Sequence, residues 1–344
     1  MNTKLLYYDI IYSPKNQSMS AQSKSKKIIV TGGAGFVGSN FIAHIMDKYQ
    51  EYEVINLDKL TYCGNLENLR GVENNPRYTF VEGDIADPKI VDAIAERGID
   101  AIVNFAAETH VDRSIVDPNA FLHTNIHGTF TLLEAVKKYG IKKFVQISTD
   151  EVYGSIEKGS FRETDPLNPS SPYSAAKAGA DLLIFSYFKT FNLPVSITRS
   201  SNNFGPFQYP EKLIPLFITN ILENKKIPLY GDGMNVRDWV YVKDHCEAID
   251  MVLHNGENGQ IYNIGSNHEK SNLEITHTIL KELGASTSDI QYVKDRPGHD
   301  RRYSLNCEKI KNELGWQSKY DFDKALTLTI QWYKDNKEWW GKIK

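Results

Sequence analysis

Between residues 26 and 148 short apolar runs alternate with longer stretches in which apolar positions recur every three or four residues. The run KIIVTGG (27–33) is β-branched and ends in glycine. In FVGSNFIAHIMDKY (36–49), Val37, Phe41, Ile45 and Tyr49 lie four apart, with Ile42 and Met46 beside them. That spacing marks one face of a helix, whereas a short continuous run suits a strand buried on both faces. Further strands are predicted at YEVINLD (52–58), YTFVEGD (78–84), AIVNFAA (101–107) and KKFVQIS (142–148). Helices over 87–97 and 118–139 fall between them, and a helix over 172–191 and a strand VSITRSS (195–201) continue the alternation. Repeated βα units predict a parallel sheet covered by helices on both faces.

After residue 200 the alternation loosens. NNFGPFQYP (202–210) is rich in turn residues, and the short strands IPLYG (227–231) and IYNIG (261–265) mix with helices near 241–255, 272–284 and 322–336. The predicted fold class is α/β. A Rossmann-type doubly wound parallel sheet occupies 26–200, and a smaller mixed α/β C-terminal substrate lobe over 201–344 interleaves with it. Residues 1–25 stand outside the pattern. Their apolar patch LLYYDIIY (5–12) is broken by Asp9 and runs into a Ser/Lys-rich stretch, which reads as a disordered extension with Met19 a second candidate start.

Composition narrows the function. Hydrophobic residues are 41% of the 344, enough for a sizeable core. A net charge of −3 argues against nucleic acid or an anionic membrane as the main partner. No apolar run approaches the ~20 residues of a membrane span. Cys63, Cys246 and Cys307 are far apart, without CxxC or zinc spacing, which predicts reduced thiols in a cytoplasmic protein. No HxH or HExxH arrangement points to a metal.

TGGAGFVG (31–38) stands at the first strand–helix junction, with Gly32, Gly35 and Gly38 three apart. Glycine permits positive φ and close approach to a pyrophosphate, and the helix start offers free N–H groups to that anion. Asp58 closes the next strand 20 residues after Gly38, where an acid can bond ribose hydroxyls and repel a 2′-phosphate. This favours NAD over NADP. Asp84, after the third strand, is placed to reach the adenine amino group. Ala106 and Ala107, after the fourth, would let a cofactor lie against the backbone. A tight turn and ordinary strand packing are the competing readings of these residues.

The chemistry sits further on. STDEVYG (148–154) puts Asp150 and Glu151 side by side after a buried strand, and YSAAK (173–177) stacks Tyr173 and Lys177 on one helical face. A lysine ammonium near a phenol is expected to lower the phenol pKa, so that the phenolate can take a hydroxyl proton while hydride leaves the carbon.

These motifs resemble the extended short-chain dehydrogenase/reductase family. DKLTYCGNLENL (58–69), AAETHVDRS (106–114), RSSNNFGPFQYPEKLIP (199–215), RDWVYVKDH (237–245) and DRPGHDRRY (295–303) resemble the dTDP-glucose 4,6-dehydratases within it. The resemblance covers residues 26–340. It implies oxidation of a hexose at carbon 4, loss of water across carbons 5 and 6, and return of hydride to carbon 6. In that scheme Asp150 is the acid, Glu151 the base, and Thr149 the hydroxyl that bonds the sugar near Tyr173. NAD contacts are implied for Phe36, Val37, Lys59, Leu60, Thr61, Ile85 and Thr124, in addition to Tyr173, Lys177 and the residues named above. Asn203 would stand at the nicotinamide side. Substrate contacts are implied for His110, Asn202, Lys212, Leu213, Pro228, Tyr230, Arg237, Asn272, Asp295, Arg296, His299 and Asp300. Arg237 suits a diphosphate because its fork makes paired charge-assisted bonds; a salt bridge with Asp238 or Asp244 is its competing reading. Two departures are Cys63, where alanine is common, and the N-terminal extension; an oxidant-sensitive Cys63 beside the cofactor is one consequence to test.

The substrate expected is dTDP-glucose and the assembly a homodimer, with the helices at 118–139 and 172–191 packed on their mates. The second of these carries Leu182, Leu183, Phe185, Tyr187 and Phe188, too many apolar directions for one core. Deoxysugar formation of the rhamnose type is the implied pathway. Another nucleotide-hexose dehydratase, a 4-epimerase (which needs no acid pair) and a non-catalytic NAD-binding regulator remain as alternatives.

Overall fold

The computed structural model describes residues 25–344. All but the last residue of the predicted N-terminal extension, Met19 included, lies outside the described residues. Twelve strands are described: β1 (Lys26–Thr31), β2 (Tyr52–Asp58), β3 (Tyr78–Glu82), β4 (Ala101–Asn104), β5 (Lys143–Thr149), β6 (Val195–Ser200), β7 (Asn202–Phe204), β8 (Ile227–Tyr230), β9 (Val236–Tyr241), β10 (Gln260–Ile264), β11 (Glu269–Ser271) and β12 (Ile290–Val293). Seven of them form one sheet in the order β10-β6-β5-β4-β1-β2-β3, parallel throughout. Its strands end in one direction, so every loop that follows them opens at the same edge.

Alternation along β1 divides the core. Ile28 and Val30 join an apolar cluster that runs on through Phe41 and Ile45 of the helix Phe36–Lys48 to Trp239, Ile275 and Trp340 of the C-terminal part. Ile29 faces the other way, toward Ile184 and the helices Pro88–Ala95, Thr129–Tyr139 and Pro172–Phe191. The C-terminal part therefore shares a core with one face of the large sheet. IYNIG, placed with the small lobe on sequence, instead forms β10, the edge strand beside β6. A five-residue apolar run does not carry its own address: the helix Val242–Asn255, which precedes it, packs on Phe36–Lys48 and returns the chain to the large sheet. The remaining strands make a three-stranded sheet β11-β9-β7 and a parallel pair β12-β8.

The helical path predicted over 118–139 is interrupted. A π-helical turn, Leu122–Gly128, precedes the α-helix Thr129–Tyr139. The helix Pro172–Phe191 agrees with the predicted 172–191. Ser171 Oγ accepts the Ser174 amide at 3.1 Å, Ser174 Oγ accepts the Ser171 amide at 3.0 Å, and Pro172 occupies the first turn.

Candidate active site

At the end of β1 the chain turns through Gly32, whose φ is +66°. A Cβ there would stand 2.6 Å from the Ala106 amide nitrogen, so both conformation and space demand glycine. A Cβ on Gly38 would stand 2.4 Å from the Gly32 carbonyl oxygen. Gly35 precedes the helix Phe36–Lys48 with no side chain capping it and no acid in the first turn. The helix start thus keeps its amide donors and its positive end for an external anion. Phe36 and Val37 are half-buried beside it.

Asp58 closes β2 with its carboxylate engaged by backbone. Oδ2 accepts the Ala34 amide at 2.9 Å and Oδ1 the Leu60 amide at 2.8 Å. Burial raises its pKa, and the two amides oppose that rise. Lys59 Nζ donates to Asp84 Oδ2 at 2.6 Å, His123 Nε2 lies 3.1 Å from the same oxygen, and the Ala86 amide donates to Oδ1 at 2.9 Å. Burial would raise the Asp84 carboxyl, but these partners outweigh it and hold it below the usual range. The carboxylate expected to meet an adenine amino group is therefore already engaged by Lys59 and His123. Ile85 is buried, Thr61 and Ala107 are half-buried, and Thr124 lies on the π-helical turn. The Ala106 amide donates to Thr31 Oγ1 at 3.2 Å. Thr31 Oγ1 in turn donates to Asn104 Oδ1 at 2.5 Å, and Asn104 Nδ2 to Gln146 Oε1 at 2.8 Å, tying β1, β4 and β5 together beneath the site. An uncapped helix start and an acid at the end of β2 form a donor set that fits a dinucleotide.

β5 delivers the acid pair. Thr149 Oγ1 accepts the Glu151 amide at 3.3 Å and donates to Asp150 Oδ1 at 3.2 Å, opening the 3₁₀ turn Asp150–Tyr153. Gly154 leaves that turn at φ +80°, where a Cβ would meet the Asn168 carbonyl oxygen at 2.4 Å. Asp150 is 3% exposed and its Oδ2 has no partner. Burial and the Glu151 charge push it up to about 8, against Arg237. Burial raises Glu151 too, but Arg296, Arg237 and Lys212 all work against that rise. Asp150 is thereby the proton holder of the pair.

Tyr173 and Lys177 are both buried on the helix Pro172–Phe191. The expected lowering of the phenol is not found. Burial first, then the Glu151 charge, raises Tyr173 well above the ordinary tyrosine range, and the Thr149 hydroxyl opposes only part of this. Lys177 Nζ donates to the Ile147 carbonyl at 2.5 Å, and burial lowers it to about 8.

On the other wall, Arg237 is buried but pairs with neither Asp238 nor Asp244 among the described residues. Nη1 donates to the Val236 carbonyl at 2.8 Å and Nη2 to the Asp300 carbonyl at 2.9 Å, and the guanidinium lies 4.1 Å from the Tyr303 ring centroid. Asp238 is taken by the Ser266 and His268 amides, at 2.9 and 2.8 Å. Asp244 is taken by the Lys319 and Tyr320 amides, at 3.1 and 3.0 Å. Arg296 has a buried Nη1 with no partner. Lys212 Nζ donates to the Thr109 carbonyl at 3.0 Å, beside the opening residue Leu213 of the helix Leu213–Leu222. Arg237, Arg296 and Lys212 each lie near enough to Glu151 for their charges to favour its carboxylate.

The remaining predicted residues are engaged to different degrees. Asn203 Nδ2 donates to Ser200 Oγ at 3.2 Å and leaves Oδ1 buried without a partner, next to the half-buried Asn202. Pro228 and Tyr230 lie on β8, and Tyr230 donates to Asp112 Oδ2 at 3.1 Å. His299 Nδ1 is 2.6 Å from Asp295 Oδ1. Asp300 accepts from the hydroxyls of Ser170 and, at 2.7 Å, Tyr303. The Asn272 amide is committed to the Asn235 carbonyl at 3.0 Å. His110 caps the short helix Val111–Val116, and burial keeps its ring on the neutral side of its ordinary value. Asp112, Ser170, Tyr303 and the buried pair Asp181–Arg199 went unseen in the sequence. Only Asp181, four residues beyond Lys177, had a helical spacing to betray it.

Residues 29–329 match the family model described as GDP-mannose 4,6 dehydratase. A dTDP-glucose 4,6-dehydratase of Streptomyces antibioticus is 48% identical over 322 residues, 92% of this chain and 95% of that protein. The low-salt glycan biosynthesis protein Agl12 of Haloferax volcanii is 51% identical over 311 residues, 90% of this chain and 99% of that protein. The crystal structure of a dTDP-glucose 4,6-dehydratase from Bacillus anthracis in complex with NAD matches with a TM-score of 0.88 and 53% identity, covering 93% of this chain and 100% of that one.

Proposed function

This chain belongs to the GDP-mannose 4,6 dehydratase family, and we propose that it converts dTDP-glucose to dTDP-4-keto-6-deoxyglucose with NAD. The observation that carries the reading is the asymmetric acid pair, Asp150 raised to about 8 and Glu151 faced by three cations, at the strand edge that also carries the glycine turn. NAD, held at the glycine turn and by Asp58, would supply the hydride acceptor for carbon 4 and the hydride donor for carbon 6. Tyr173 Oη takes the proton of the 4-hydroxyl as the phenolate, the form that a charged Lys177 on the same helical face favours. The ketone so formed acidifies the proton on carbon 5, which Glu151 removes and gives back to carbon 5 as hydride returns to carbon 6. Asp150 gives its proton to the departing 6-hydroxyl, which leaves as water. Arg237, Arg296 and Lys212 hold the diphosphate, and Asp58 takes the cofactor ribose.

The name of the family and the names of the relatives differ in base and hexose. The test is to incubate the protein with dTDP-glucose, UDP-glucose, CDP-glucose and GDP-mannose and follow the alkali-induced absorbance of the 4-keto product. The highest kcat/KM is expected for dTDP-glucose. Preference for another nucleotide overturns the base assignment, no keto product from any of them overturns the dehydratase, and inversion at carbon 4 would mean an epimerase.

The lobe after residue 200 carries most of the nucleotide-sugar contacts in this reading. The product feeds a cytoplasmic route to a rhamnose-type deoxysugar, and the likeness to a glycan biosynthesis protein supports that direction. The homodimer expectation is kept. Val116, Leu122 and Leu182 are 87%, 50% and 62% exposed on helical segments that pack together. An apolar face of that kind calls for a mate. Leu183, Phe185 and Phe188, by contrast, pack partly buried against the core on the other side of the large sheet. Sedimentation as a monomer at micromolar concentration would remove the dimer.

A further inference from the structure

Burial works against both members of the Tyr173–Lys177 dyad, disfavouring the phenolate and the ammonium alike. Something must support the ammonium. Lys177 is 4% exposed, and its one side-chain hydrogen bond among the described residues is to the neutral Ile147 carbonyl. The helix Pro172–Phe191 brings a carboxylate to the same face, because Asp181 follows Lys177 by four residues as Lys177 follows Tyr173. Asp181 is fully buried. Its Oδ2 accepts Arg199 Nε at 2.9 Å, and its Oδ1 is left without a hydrogen-bond partner. Arg199, on β6, is itself 2% exposed and packs over the Tyr153 ring with 4.7 Å to the centroid. An ion pair placed in a core is weak evidence for stability and costs desolvation, so this arrangement asks for another reason.

We propose that Asp181, held by Arg199, is a positioning residue that keeps Lys177 charged beside Tyr173 during carbon 4 oxidation. The inference rests on the dehydratase reading and deepens it. Other charges near the dyad come from the 3₁₀ turn, as Asp150 and Glu151, and from β6, as Arg199; Glu134 on Thr129–Tyr139 bonds Tyr187 at the far end of the helix. Asp181 favours the charged form of Lys177, against its burial. Its charge also opposes the Tyr173 phenolate, as the weakest of the named influences there. Arg199 serves by fixing the carboxylate in place.

The test uses the NAD-loaded protein and reads reduction of the nicotinamide on mixing with dTDP-glucose, across pH, in the Glu151→Gln background. Reaction there stops after oxidation, so titration of the elimination acid does not enter. In the Asp181→Asn variant the alkaline limb should move down by about one pH unit, the size of a nearby opposite charge. Asp181→Glu should restore it. If Asp181→Asn fails to fold because Arg199 is left unpaired, the double variant Asp181→Asn/Arg199→Gln, with no buried charge unbalanced, carries the same expectation. A loss that is uniform across pH, or an unmoved limb, overturns the proposal. Failure of the parent protein to reduce its nicotinamide at any pH would instead sink the dehydratase reading.

Discussion

Two aspartates stand at the ends of parallel strands in the same sheet, almost equally buried, and are prepared for opposite work. Asp58 closes β2 at 8% exposure, and Asp150 follows β5 at 3%. Burial raises both. At Asp58 each oxygen accepts a backbone amide, and those bonds favour the anion. At Asp150, among the described residues, one oxygen has only the Thr149 hydroxyl, the other has no hydrogen-bond partner, and a second carboxylate follows directly. One site suits an anion that holds hydroxyls; the other suits an acid that parts with a proton. Burial alone does not choose between ligand and catalyst: the choice lies in what donates to the carboxylate.

The sharpest way to break this contrast is to neutralise each acid in place. Asp150→Asn and Glu151→Gln should each lower turnover by about 10²–10⁴-fold, the usual worth of a positioned acid or base. Both should still reduce nicotinamide on mixing with substrate, because oxidation comes first. Glu151→Gln should also abolish exchange of the carbon 5 proton with deuterated solvent, which Asp150→Asn should allow. Wild-type exchange in Glu151→Gln would remove it as the base.

A smaller effect follows from pH. Asp150 is raised, so it holds its proton below about 8 and loses it above. Turnover should therefore fall about tenfold per pH unit beyond that point. NAD affinity, measured by fluorescence titration over the same alkaline range, should stay level, because two backbone amides favour the Asp58 anion. Parallel decline of both would merge the two acids into one behaviour.

Removing Asp58 sharpens the other side. Asp58→Ala removes the charged acceptor for the ribose hydroxyls and should weaken NAD by about 1.5–3 kcal/mol for each such bond lost. It should also relax discrimination against NADP while leaving the carbon 5 exchange step intact. The smallest change is expected at Cys63. Burial, with the Glu108 and Glu211 charges, pushes its thiol up to about 11, which makes it a poor thiolate and counters the expectation of oxidant sensitivity. Cys63→Ala should alter activity and peroxide tolerance by less than about twofold.

Much of this protein was legible along the chain because the signals are local. The helix Pro172–Phe191 begins at Ser-Pro and keeps its apolar spacing throughout, so its limits agree with the predicted 172–191. β2 agrees with YEVINLD for the same reason. The glycine turn, the acid pair and the four-residue step from Tyr173 to Lys177 follow from backbone geometry alone. The place of IYNIG did not, since an edge strand is chosen by the packing of the helix before it. The engaged carboxylate of Asp84 and the bed of Arg237 were equally hidden. Their partners, His123 and the Asp300 carbonyl, lie 39 and 63 residues away. The protonation of the site was furthest from reach. Sequence determined which ionisable groups share a helical face or a strand end, because periodicity places them. Only the tertiary structure decided which keep their protons, because that depends on the depth of burial and on charges brought in from other elements: Arg296 and Lys212 onto Glu151, and Arg199, from β6, onto Asp181.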